Sequence, residues 1–93
     1  MHGKNLRGSF VNSETIQETV KDIIAAIFAM DAAGIGAEFS LETVQEWDSL
    51  KHVNLVMALE QEFNLRINVE DAVEMTSFPA VCETLSRYLE HAE

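Results

Sequence analysis

The sequence predicts an all-α fold: a small antiparallel four-helix bundle with three main helices, one short third helix and a long loop between helices 1 and 2. Three observations carry this reading. Apolar residues recur at steps of three and four in separate stretches, the period of a helical stripe. The one alternating stretch, Leu65 to Val69, has no partner with which to build a sheet. The chain has 93 residues, 47% of them apolar, which suits one domain with a single modest core.

Met1 to Asn12 is polar, Gly-containing and without period, and reads as a flexible N-terminal leader before a folded domain spanning 13–93. Ser13 or Thr15 can cap the first helix, and Thr15-Ile16-Gln17-Glu18 matches a capping box. Ile16, Val20, Ile23, Ile24, Ile27 and Phe28 then fall at offsets 0, 4, 7, 8, 11 and 12, the clearest amphipathic stripe in the chain. This helix is expected to end near Met30, because Gly34 and Gly36 follow closely. Asp31 to Glu46 is the long connection, from which Ile35, Phe39, Leu41 and Val44 are expected to tuck onto the core. Trp47 closes it and reads as a packing anchor.

The central helix is expected from Ser49 to Phe63. A polar pair, Asp48-Ser49, starts it. Leu50, Val53 and Met57 follow in one register and Val56, Leu59 and Phe63 in another, with no Gly or Pro between. Ser49 therefore lies at the N-terminal edge, near unpaired backbone N–H groups. Asn64 tolerates the left-handed conformation that stops a helix. Leu65, Ile67 and Val69 read as an extended connection. Val69 to Met75 reads as the short third helix, with Glu70 and Asp71 in its first turn, where the dipole favours acids. Ser77 caps the last helix, Pro79 is tolerated in its first turn, and Val81, Leu85 and Leu89 form its stripe beside Cys82 and Tyr88.

Formal charge is −10, from 16 acids and 6 bases. Residues 37–93 hold 12 of the acids and 3 of the bases, hence −9 of that charge. Such a surface argues against nucleic acid and anionic membrane as partners and favours basic protein patches. The longest apolar run, Ile23 to Met30, is far too short to span a bilayer, and no signal core follows Lys4 and Arg7, so a cytoplasmic protein is expected. A single cysteine excludes an internal disulfide, and His2, His52 and His91 match no zinc spacing; no metal site is expected. No large apolar face is expected to remain uncovered, which favours a monomer.

Few residues offer chemistry. Ser49 and His52 are three apart and suggest a nucleophile with its base, but nothing Gly-rich surrounds Ser49 to build an oxyanion hole. His52 reads instead as an exposed helix residue, and Cys82 as buried filler. Glu60, Glu62, Glu70, Asp71 and Glu74 fit no calcium loop and read as a solvated, partner-facing surface. A serine at a helix start can also carry a phosphate-linked group, since N–H groups and dipole favour an anion there. On position alone, a plain N-cap is the default reading.

Asp48-Ser49-Leu50, followed by Val53, Leu55-Val56-Met57-Ala58-Leu59-Glu60 and Glu62-Phe63, resembles the acyl carrier protein family. The likeness continues without a gap through Ile67, Glu70-Asp71-Ala72, Glu74 and Met75-Thr76, and covers about Ser13 to Tyr88. The resemblance implies that Ser49 receives 4′-phosphopantetheine from coenzyme A, transferred by a separate phosphopantetheinyl transferase. It implies a carrier domain over 13–93 that holds acyl groups as thioesters, presents them to acyl-loading and acyl-processing enzymes with basic docking patches, and catalyses nothing itself. Asp48, Leu50, Lys51, Met57 and Glu60 match partner-recognition positions, and Val53, Leu59, Ile67, Ala72 and Met75 match positions that line an acyl-chain space. Two departures stand out: Lys51 and Asn54 occupy positions where fatty-acid carriers often have acids. Trp47 before Asp-Ser-Leu is familiar from specialised carriers. A specialised type II carrier is therefore expected, outside housekeeping fatty-acid synthesis. An aminoacyl or peptidyl carrier and an unmodified helical adaptor are the alternatives; an adaptor would tolerate Ser49→Ala.

Overall fold

The computed structural model describes residues 13–90, which form four α-helices: α1 (Ser13–Phe28), α2 (Ser49–Phe63), α3 (Val69–Glu74) and α4 (Phe78–Glu90). The leader at 1–12, His91 and the side chain of Ser13 lie outside what is described. As expected, the domain is a small helical bundle, with no strand among the described residues. No helix there is long and apolar enough to cross a membrane.

α1 is central to the packing, lying against both α2 and α4. Its stripe explains why: Ile16, Val20 and Ile24 are buried, and Ile23, Ile27 and Phe28 pack around them. Leu55 and Leu59 enter this core from α2, Val81 and Leu85 from α4. α1 is already helical at Ser13, so Thr15 lies within its first turn and is not the cap. The helix ends at Phe28, short of Met30, because Ala29 turns left-handed (φ 56°) and the Met30 N–H donates to the Ala25 carbonyl at 3.0 Å. That bond is the signature of a Schellman stop. The glycines play no part, since neither takes a positive φ.

The connection after α1 is ordered by its own polar groups. Asp31 caps a single 3₁₀ turn, Ala32–Gly34, accepting from the Ala33 N–H. The Thr43 hydroxyl accepts from the Ser40 N–H and donates to the Glu38 carbonyl. Ile35 and Phe39 are buried and Val44 packs against the core, but Leu41 is not, being 45% exposed. A backbone tie holds this part of the connection against the start of α4. Ser40 and Ser77 form an isolated antiparallel bridge, Leu41 N–H donating to the Thr76 carbonyl and Phe78 N–H to the Phe39 carbonyl.

α2 carries two stripes. Leu55, Val56, Leu59 and Phe63 face the core, while Leu50, Val53 and Met57 face out. Asn64 ends α2 in the left-handed conformation (φ 55°), as expected. The following segment, 65–68, is extended and unpaired, so side chains satisfy its backbone: Glu60 accepts from the Ile67 N–H at 2.8 Å and the Tyr88 hydroxyl from the Asn68 N–H at 3.0 Å. Asn68 caps α3 and Ser77 caps α4 through their side-chain oxygens.

Candidate functional site

α2 begins with Asp48, an extended residue whose carboxylate accepts from the Lys51 N–H at 2.9 Å. Asp48, not Ser49, is thus the N-cap. Ser49 is the first helical residue, exposed, and its hydroxyl has no hydrogen-bond partner among the described residues. The first backbone N–H groups of α2 also lack acceptors within the helix. The arrangement is an uncommitted hydroxyl at the positive end of a four-turn helix.

Trp47 holds this end in place. Its indole is 3% exposed and packs edge-on against Phe28 at 5.7 Å, with Phe39 tilted against it at the same distance. On its other side it stacks on the imidazole of His52 at 6.1 Å. The indole Nε1–H donates to His52 Nδ1 at 3.1 Å, which leaves the imidazole proton on Nε2, and this donates to the Ala72 carbonyl in α3 at 2.7 Å. His52 is therefore a half-buried strut from α2 to α3, which corrects the expectation of an exposed residue. It also disposes of the nucleophile–base reading of Ser49 and His52. Both ring nitrogens are engaged elsewhere, so neither can take the serine proton.

Beside Ser49 runs a groove of about 540 Å³, walled by Leu41, Trp47, Val53, Val73 and Thr76 and floored toward the helix start by His52. A wider depression of about 810 Å³, near Phe28, Ile35 and Glu38, does not include Ser49. The groove opens onto an apolar face: Leu50, Val53 and Met57 on α2 and Val69 and Val73 on α3 are each more than half exposed. That face corrects the expectation that no large apolar surface is left over. The inward stripes of the helices fill the small core, and none of the described residues covers these second stripes.

The residues singled out in the sequence divide accordingly. Asp48, Ser49, Leu50, Lys51, Val53 and Met57 come together at the start and outer face of α2. Glu60 is half-buried, and one of its carboxylate oxygens accepts from the Ile67 N–H. Leu59 and Met75 have no exposed surface and Ile67 only 8%; with Ala72 they lie in or against the core and do not wall the groove. Of the other groove residues, Leu41 was expected on the core, His52 was read as exposed, Thr76 entered only with the family pattern, and Val73 was not singled out. Leu41 and Val73 carry no periodic signal toward Ser49, and the partners of His52 lie five and twenty residues away.

Residues 18–85 match the protein family described as "Phosphopantetheine attachment site". The chain is 33% identical over 76 residues to the acyl carrier protein of Buchnera aphidicola subsp. Baizongia pistaciae, covering 82% of this chain and 97% of that protein. It is 38% identical over 73 residues to the acyl carrier protein of Clostridium acetobutylicum, covering 78% and 95% respectively.

Proposed function

The chain belongs to the acyl carrier protein family, and from that premise we propose that Ser49 is the residue bearing its covalent 4′-phosphopantetheine. Members of this family are carriers, not enzymes; phosphopantetheinyl transferase and acyl-processing enzymes act on them. The arm supplies a terminal thiol that holds acyl groups as thioesters.

The observation that supports Ser49 most is its exposed, unpartnered hydroxyl on the first residue of α2. The surroundings fit the group. Helix-start N–H groups and the Lys51 ammonium side chain favour a phosphodiester, and the open groove leaves room for an arm to lie or swing. Asp48 keeps its own oxygen on the Lys51 N–H, so capping does not compete for the serine. The residues of this chain orient and expose the hydroxyl. The base that removes its proton comes with the transferase, because His52 has no nitrogen to spare.

Docking falls to the face around Ser49. Leu50, Val53 and Met57 supply apolar contact, and Asp48 and Glu60 supply charge for basic patches on partner enzymes. The carrier domain spans 13–93 and works as a monomer, with this apolar face kept for successive partners. Lys51 and Asn54 thin the acidic charge closest to the arm, which supports service in a specialised pathway rather than housekeeping fatty-acid synthesis. Efficient use as the main substrate of fatty-acid-synthesis enzymes would remove that last point. For the attachment itself, the test is intact mass after incubation with coenzyme A and a promiscuous phosphopantetheinyl transferase. The wild type gains one phosphopantetheine and folded Ser49→Ala gains none; equal gain by both would refute the assignment.

A further inference from the structure

We propose that His52 is a latch that closes the interior of the bundle to cargo and confines it to the surface groove beside Ser49, so that this carrier is suited to short acyl groups. The proposal rests on Ser49 as the attachment point.

The reasoning begins with α3. It has six residues and buries none of them, so packing alone fixes it weakly. Its position is set by ties at its ends. At its N-terminus, the Tyr88 hydroxyl accepts from the Asn68 N–H and donates to the Asp71 carboxylate at 2.6 Å, with Arg87 4.0 Å from the same carboxylate. Past its C-terminus, the Leu41 N–H donates to the Thr76 carbonyl. Between these, the His52–Ala72 bond is the one hydrogen bond from α2 to α3 among the described residues. It is short, and its donor ring also accepts from the Trp47 indole, which packs against both Phe28 and Phe39.

The interior lies behind that bond. Ile67 and Met75 bracket α3, Leu59 faces them from α2, and all three belong to the closed core. A chain tethered at Ser49 reaches this space only if α3 moves off α2, which breaks the His52–Ala72 bond between two half-buried polar groups. The groove outside is open and offers Leu41, Val53 and Val73 without any such break. A short acyl group is covered there. A longer one leaves its added methylenes in water, so lengthening the cargo brings no added shelter. His52 thus acts as a positioning residue that sets cargo length.

The test uses the full chain loaded with acetyl- or octanoyl-phosphopantetheine, with loading verified by intact mass; no mass gain would indict the Ser49 assignment and not the latch. Methyl NMR and thioester cleavage by hydroxylamine are then compared. In the wild type, the octanoyl chain is expected to shift Leu41, Val53 and Val73 but not Leu59, Ile67 or Met75, and both thioesters should be cleaved at similar rates. In His52→Leu, which keeps bulk but loses both hydrogen bonds, the interior methyls should move and the octanoyl thioester should gain about fivefold protection over acetyl, the worth of roughly one hydrogen bond. His52→Gln, whose amide can accept from Trp47 and donate to Ala72, should restore wild-type behaviour. Octanoyl-dependent shifts at Leu59, Ile67 and Met75 in the wild type would overturn the proposal, whether or not the leucine variant folds. So would a length preference that is the same in all three proteins.

Discussion

Cys82 lies on α4 against the core, and burial pushes its thiol from 9.0 up to about 11, against a small opposing pull from the Lys21 ammonium. A raised value favours the neutral form in the folded state. The stability this contributes is present below pH 9 and is lost as pH rises through about 11. The Tyr88 phenol shifts the same way, chiefly through its hydrogen bond to the Asp71 carboxylate. Chemical denaturation between pH 8 and 11 should therefore show an alkaline loss of stability that Cys82→Ala reduces; an unchanged slope would contradict the burial effect. At pH 8 the folded thiol should also be alkylated roughly 100-fold more slowly than in the unfolded chain, since a two-unit shift removes that share of thiolate. An alkylating agent should thus mark the thiol of the arm before Cys82. Single residues were unevenly legible in the sequence. The place of Ser49 at the start of α2 could be read because its surroundings are local: a polar start followed by an apolar run. His52 could not, because its role depends on a carbonyl twenty residues away and an indole five residues back, neither of which leaves a periodic trace.

Helices were legible where a stripe or a cap residue marks them. α2, α3 and α4 fall at the expected residues because Asn64, Asn68 and Ser77 each do what their side chains favour. The end of α1 was not, because alanine gives no warning of a left-handed turn. Ala29 holds φ 56° against a steric penalty of about 1–2 kcal/mol that glycine does not meet. Ala29→Gly should accordingly stabilise the domain by up to about 1 kcal/mol, read as a higher denaturation midpoint at unchanged slope. A lower midpoint would mean that the extra backbone freedom of glycine in the unfolded chain outweighs the relief. The long connection shows the same limit of sequence reading. Its apolar residues were expected to act alike, but Ile35 and Phe39 are buried while Leu41 stays exposed and walls the groove.

At the scale of the whole molecule, the division of labour is between a closed core and a face left open. α1, α2 and α4 spend their inward stripes on each other, and α3 is pinned by hydrogen bonds instead of burial. The outcome is a platform with an exposed apolar and acidic surface around one hydroxyl. Net charge of −10 should steer basic partners, so association with a partner enzyme is expected to slow as salt rises while dissociation changes little. Stopped-flow traces at low and high ionic strength would show this, and salt-independent association would count against charge steering. The most direct measurement is to map the prosthetic group by tandem mass spectrometry of a digest of the transferase-treated full chain. Phosphopantetheine on Ser49 alone is the expected result. Its recovery on another hydroxyl, such as Ser40, Thr43 or Ser77, would contradict the assignment on which the platform, groove and latch all depend.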